Sequence, residues 1–353
     1  MRKLSQSLIV VVLLGFTLLA LAGPPSYLPV EKVRADFKRL LERKKAPLEV
    51  KSATSQDGEF RIERGSIGAE AVERIPFVLV RSASAARRLP AVIALHGTGG
   101  NKEGQVPLLR TLAARSFVAI AIDGRYHGER VTGGAQGATE YQDAIIRAWK
   151  EKDAGRQEHP FFYDTAWDLW RTVDYLQTRS DVDGARIGVI GFSKGGIEIW
   201  LGASVDDRIK VAVPAIGVQS FRWSLDHDQW QGRAKTIARA HEVARQDLGE
   251  PVLNQRVCRE LWNKLIPGIL DEFDCPSMIR LFAPRPLLIL SGENDPNCPL
   301  PGAKLAFAAA EQAYVQARAG DRLKIMVAPG VGHAVTPEQR EAALEWLQKW
   351  LTE

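Results

Sequence analysis

Ile187-Gly188-Val189-Ile190-Gly191-Phe192-Ser193-Lys194-Gly195-Gly196-Ile197-Glu198-Ile199-Trp200-Leu201 is the stretch on which the fold turns. A run of strand character enters a bend centred on Ser193, and an apolar run of helical character follows at once. Glycines two residues before and two after the serine remove side chains that would hold strand and helix apart, and a serine at such a bend takes a strained backbone. The bend lifts the hydroxyl clear of the sheet and aims the first helical amides at whatever the hydroxyl attacks. G-x-S-x-G alone is a weak signal. With the strand before it and the helix after it, Ser193 reads as a nucleophile.

An alcohol at neutral pH needs a base, and the base needs an orienting acid. Six histidines are available. His96 precedes the serine in a glycine-rich loop, and His127 follows an early strand in Asp123-Gly124-Arg125-Tyr126-His127-Gly128-Glu129-Arg130. His159, His227 and His241 fall in polar or helical stretches. His333 stands in Pro329-Gly330-Val331-Gly332-His333-Ala334, right after the strand-like Leu323 to Ala328, which is where a sheet-based site presents its base. The acid should also follow a strand. Pro286-Leu287-Leu288-Ile289-Leu290 ends in Ser291-Gly292-Glu293-Asn294-Asp295-Pro296, whose glycine and proline bracket a tight loop. Asp295 is the preferred acid, Glu293 is its rival on the same loop, and an aspartate that merely caps the turn is the structural alternative.

Attack on a carbonyl builds charge on its oxygen, so two preorganised donors are needed. The amide of Lys194 supplies one. The other is expected from His96-Gly97-Thr98-Gly99-Gly100, after the run Pro90 to Leu95, through the amide of Thr98 or Gly99.

These pieces resemble the α/β-hydrolase superfamily, in its bacterial branch of dienelactone-hydrolase-like, acetyl-xylan-esterase-like and prolyl-oligopeptidase-like proteins. The order Ser193, Asp295, His333 is the α/β-hydrolase order, not that of the chymotrypsin or subtilisin folds. The resemblance covers roughly residues 70 to 350, and Asp123 to Arg130 matches a stretch that follows the fourth strand in that branch. It implies a mostly parallel, doubly wound sheet flanked by helices, with a helical lid insertion. Dienelactone hydrolase itself uses a cysteine nucleophile, so Ser193 departs from it and argues against that substrate.

The chain opens with Arg2 and Lys3, then an apolar run from Leu8 to Leu21 that ends in Ala20-Leu21-Ala22-Gly23. This reads as a secretory signal peptide over residues 1–22, cut after Ala22, and hence as a secreted or periplasmic protein. An uncleaved anchor is the rival, disfavoured because a span needs about 20 apolar residues. The formal charge of +5 includes Arg2 and Lys3, and the remainder is scattered. Arg43-Lys44-Lys45 and Arg87-Arg88 lack interleaved aromatics, so no nucleic-acid partner is expected. In an exported chain Cys258 could pair with Cys275, leaving Cys298 free near the proposed acid. No spacing resembles a zinc site. His127 and Glu129 flank one glycine, but a hydrogen-bonded structural role is favoured over a metal. No metal or organic cofactor is expected.

Residues 23–58 read as a polar N-terminal arm with one helical stretch near Glu31 to Arg43, and residues 59–353 as the hydrolase domain. Strand-like runs alternate with helical patterns such as Thr165 to Gln177, which implies a parallel sheet with ligands at the carboxyl ends of its strands. From about 214 to 284 the connection is too long for the plain fold. It carries Phe221, Trp223, Trp230, Trp262 and Phe273, with helix-like runs at 231–248 and 256–265. A lid arises in such places. Most of its aromatics should pack, while Trp223 and Trp230 are candidates to line a substrate pocket, with His127 as a further substrate contact. The expectation is an exported serine hydrolase of short acyl or carbohydrate esters, its partner a small-molecule or polysaccharide ester. A prolyl-oligopeptidase-like peptidase, an acyl transferase and a noncatalytic binding scaffold of the same fold are the alternatives.

Overall fold

The computed structural model describes residues 27–131 and 138–352. The signal peptide assigned to residues 1–22 lies outside the described residues. Among them, nine strands build one sheet in the order β1-β2-β3-β5-β4-β6-β7-β8-β9. They are β1 (Lys51–Asp57), β2 (Phe60–Gly68), β3 (Arg74–Ser82), β4 (Leu89–Leu95), β5 (Val118–Ile122), β6 (Val182–Phe192), β7 (Ile209–Ala215), β8 (Leu287–Gly292) and β9 (Leu323–Ala328). The pairs β1–β2, β2–β3 and β3–β5 are antiparallel, and every pair from β5–β4 to β8–β9 is parallel.

The parallel strands are continuous apolar runs because helices cover both faces; β4 and β5 are buried at every position. On one face α2 (Val106–Ala114) and α12 (Pro337–Thr352) set Leu109, Leu112, Leu347 and Leu351 against Val92, Ala94 and Val213. On the other lie α1 (Val30–Leu41), α3 (Thr139–Lys150), α4 (Tyr163–Thr178) and α11 (Leu300–Gln316), with Phe37, Ile145, Leu169 and Ala306 in a single core.

β1 departs from the sequence reading, which left residues 51–57 in the arm. Its sequence KSATSQD is exposed throughout and carries no apolar alternation, yet it pairs with β2 in register from Lys51↔Ser66 to Asp57↔Phe60. Hydrogen bonding alone recruits it as a solvated edge.

After β6, α5 (Lys194–Glu198) opens directly into a π-helical turn over Ile199–Ala203. Between β7 and β8 the chain folds into five short helices: α6 (Phe221–Asp226), α7 (Gln231–Lys235), α8 (Ala238–Asp247), α9 (Gln255–Leu265) and α10 (Cys275–Ile279). The run expected at 231–248 is broken between α7 and α8. Phe221 stands edge-on to Trp262 at 5.3 Å, and both sit in the same core as the sheet face. No helix of the described residues is long and apolar enough to cross a membrane.

Candidate active site

Ser193 terminates β6 with φ 53° and ψ −110°, a region costly for any residue with a side chain. Its amide donates to the Ala215 carbonyl of β7 at 2.9 Å, which holds the bend. A Cβ at Gly195 would stand 2.4 Å from the Leu95 carbonyl oxygen, and one at Gly191 would stand 2.6 Å from that of Gly195. Only glycine at these two places lets strand, bend and helix close.

The turns after β8 and β9 converge on the serine. His333 Nε2 lies 2.8 Å from Ser193 Oγ, and its Nδ1 lies 2.7 Å from Asp295 Oδ2. The other oxygen of Asp295 accepts from the amides of Asn297 at 2.8 Å and Cys298 at 3.0 Å. Asp295 is 4% exposed, so the carboxylate is held by hydrogen bonds where water would otherwise solvate it. Glu293 turns away and accepts from the Gly330 amide at 2.7 Å.

Gly97 packs against the serine: a Cβ there would stand 3.5 Å from Ser193 Cβ. The carbonyl of Gly97 accepts from the Gly100 amide at 3.0 Å and lies 2.8 Å from His96 Nδ1. His96 Nε2 accepts from the Gly124 amide at 3.0 Å, so Nδ1 carries the proton and donates to Gly97. Burial and the neighbouring Lys194 ammonium push the His96 pKa down to about 3, keeping it neutral. Because the peptide is planar and trans, a fixed Gly97 carbonyl also fixes the opposed N–H of Thr98. Thr98 is half-buried and Gly99, at φ +78°, is exposed.

Beneath the bend the Lys194 side chain is fully buried and paired with buried Glu198 one turn on, with its ammonium 5.8 Å from the centre of the Tyr141 ring. Burial pushes the Glu198 carboxyl up to about 7. Lys194 thus presents its amide at the bend while its charge points into the core.

Two sequence expectations change. His127 has no exposed surface: its Nδ1 lies 2.7 Å from the Arg125 carbonyl and its ring packs 4.7 Å from Tyr141 and 5.0 Å from His96. The loop folds inward because the Asp123 carboxylate collects the amides of Lys102 and Glu129, so His127 faces the core and not a substrate. Glu129, two residues on, takes the structural role read for it and pairs with Lys102 at 2.6 Å. Finally, Cys258, Cys275 and Cys298 are all buried free thiols, so the suggested Cys258–Cys275 bridge is absent.

The two candidate tryptophans sit at different cavities. Trp223 stacks on His227 at 4.3 Å and lines a cavity of about 370 Å³ with Arg222, Asp226 and Asp271. Trp230, buried, donates to Asp228 and walls a cavity of about 500 Å³ whose other side is Pro296 and Asn297 of the acid loop. From the sequence, Cys298 reads only as a free thiol near the acid. Its sulfur lies within 4.8 Å of the ligating atoms of Asp295 and His333, but burial raises its pKa to about 12 and its S–H donates to the Ile216 carbonyl.

Residues 75–249 match the model of the Dienelactone hydrolase family. The chain is similar to that family over residues 75–249 and has the α/β-hydrolase fold. The chain is 31% identical over 185 residues to the Bacillus subtilis (strain 168) protein YtaP, which is named as a hydrolase, and 30% identical over 172 residues to YitV of the same strain, named as an esterase. The matches cover 52% and 46% of this chain, and they span 52% and 60% of those relatives. In structure it is similar to the acetyl xylan esterase from Paenibacillus sp. R4, with TM-score 0.66, 21% identity, and 93% of this chain and 97% of that one covered. The glucuronoyl esterase from Solibacter usitatus superposes with TM-score 0.62 at 16% identity, covering 91% and 92%.

Proposed function

We propose that the protein is an exported serine esterase in which Ser193, His333 and Asp295 form the catalytic triad. The observation that carries this reading is the continuous relay from Ser193 Oγ through both ring nitrogens of His333 to Asp295 Oδ2, with contacts of 2.8 and 2.7 Å. Ser193 attacks the ester carbonyl while His333 Nε2 takes the hydroxyl proton. The imidazolium is held by Asp295 and returns that proton to the leaving alkoxide. Water then enters by the same route and releases the acid. The amides of Lys194 and Thr98 receive the developing oxyanion, with Gly99 as the alternative second donor.

For the substrate we take short acyl esters or esters on carbohydrate. The acetyl xylan and glucuronoyl esterases that share the fold carry that class in their names. Trp230, whose cavity is bounded by Pro296 and Asn297 of the acid loop, offers an aromatic wall for a sugar or acyl group. The Trp223 cavity includes no residue of the site. The basic N-terminus with its apolar run supports export, which would place such substrates within reach.

The test is the initial rate of the purified chain and of Ser193→Ala on nitrophenyl acetate, butyrate and octanoate, acetylated xylan, methyl ferulate and a proline anilide. Turnover of the esters that falls by about three orders of magnitude or more in Ser193→Ala supports the reading. Turnover unchanged in that variant removes Ser193 from the mechanism, and serine-dependent cleavage confined to the anilide makes the protein a peptidase.

A further inference from the structure

We propose that Arg233, on the lid helix α7, is a positioning residue that seats the triad acid; the proposal rests on the triad reading above. Arg233 is 1% exposed, and among the described residues its guanidinium meets no carboxylate. A buried cation with no counter-charge is expensive, so where its donors go is informative. Those of Nη2 go to the acid loop, while Nη1 meets no hydrogen-bond partner among the described residues. Nη2 donates to the Asn297 carbonyl at 3.2 Å and to Cys298 Sγ at 3.1 Å. Gln219 joins the same knot, its oxygen accepting from Arg233 Nε at 3.1 Å while its nitrogen donates to the Asn297 carbonyl at 2.7 Å.

Asn297 and Cys298 are the two residues whose amides hold Asp295 Oδ1. The guanidinium therefore grips the far side of the 297–298 peptide, whose N–H holds the acid, together with the Cys298 side chain. A second contact points the same way and needs no charge. Gly232, the preceding residue, abuts Pro296 so closely that a Cβ there would stand 1.9 Å from its carbonyl oxygen. One short helix thus touches each of the three residues that follow Asp295. The same helix adjoins Trp230, which faces Pro296 and Asn297 across the cavity of about 500 Å³. The lid and the orientation of the acid toward His333 are mechanically one unit.

The experiment compares wild type, Arg233→Met, Arg233→Lys and Gly232→Ala, each also in an Asp295→Asn background. It reads kcat and KM on the best ester of the panel, the rate at which a fluorophosphonate labels Ser193, and the thermal midpoint. Arg233→Met and Gly232→Ala are each expected to lower kcat and the labelling rate about ten- to a hundredfold, as a misplacement near 1 Å does. KM should stay near that of wild type, each variant should remain folded at the assay temperature although its thermal midpoint falls, and Arg233→Lys should recover part of the loss. In the Asp295→Asn background both substitutions should cost almost nothing, because the group they position is already gone. A folded Arg233→Met with full kcat overturns the proposal, as does a loss that persists undiminished beside Asp295→Asn. If Arg233→Met does not fold, Gly232→Ala decides by the same two criteria. Wild type that fluorophosphonate leaves unlabelled overturns the triad reading first, a result separate from the variant comparison.

Discussion

Glu293 and Asp295 leave the same loop in opposite directions: Asp295 Oδ2 lies 2.7 Å from His333 Nδ1, while Glu293 Oε2 takes the Gly330 amide at 2.7 Å. Both carboxylates touch the histidine turn, but only one touches the imidazole. Asp295→Asn should therefore lower kcat by about four orders of magnitude, because an amide no longer holds the tautomer that accepts the serine proton. Glu293→Gln keeps an acceptor for Gly330 and should cost less than about tenfold. Steady-state kinetics on one ester checks the ranking, and the reverse order would make Glu293 the acid.

His96 acts on a peptide and not on a proton. Its Nδ1–H and the Gly100 amide together fix the Gly97 carbonyl, and with it the Thr98 N–H. His96→Ala should lower kcat about ten- to a hundredfold with little change in KM, since a misaimed donor weakens the transition state more than the ground state. Binding of a boronate analogue should weaken in parallel with kcat/KM. An effect on KM alone would separate His96 from the oxyanion.

What was legible in the sequence was local. The strand, bend and helix around Ser193 lie within fifteen residues, and the loops bearing Asp295 and His333 each follow an apolar run that marks a strand end. β1 was not legible, because KSATSQD is polar on both faces and is a strand only by virtue of its partner. His127 misled because a loop histidine after a strand gives no sign of which way its loop folds; the Asp123 carboxylate decides that from four and six residues away. Arg233 carried no signal at all. Its contact with Asn297 joins positions 64 residues apart, between a lid helix and a loop, and no periodicity reports on that.

The three cysteines give a direct check on the packing around the inserted helices and the acid loop. Cys258, Cys275 and Cys298 are unbridged and buried, and burial pushes the thiols of Cys258 and Cys298 up to about 12. A protonated, inaccessible thiol reacts slowly. Native protein should therefore resist a disulfide reagent, and denatured protein should titrate all three thiols without prior reduction. A reductant should leave the thermal midpoint unchanged. Only one thiol titrating after denaturation would reveal the bridge that the structure lacks.

Asp274 gives the helices between β7 and β8 a pH dependence opposite in sign to that of a salt-bridged carboxylate. It caps α10, accepting from the Cys275 and Phe221 amides at 2.8 Å each and from the Ser220 hydroxyl. Burial outweighs these bonds and pushes its pKa from 3.8 up to about 6. A raised carboxyl pKa means that the native state favours the protonated form. The stability it contributes is complete below the unfolded value near 4 and is lost as pH rises through about 6. A shift of this size corresponds to roughly 3 kcal/mol. Asparagine keeps an acceptor for both amides and cannot ionise. The unfolding free energy of wild type relative to Asp274→Asn should therefore fall by roughly 3 kcal/mol between pH 4 and pH 7, then level off. Urea unfolding of both proteins at a series of pH values measures the difference directly. A difference that stays flat across that window would mean that Asp274 has the same pKa folded and unfolded, the three hydrogen bonds cancelling its burial.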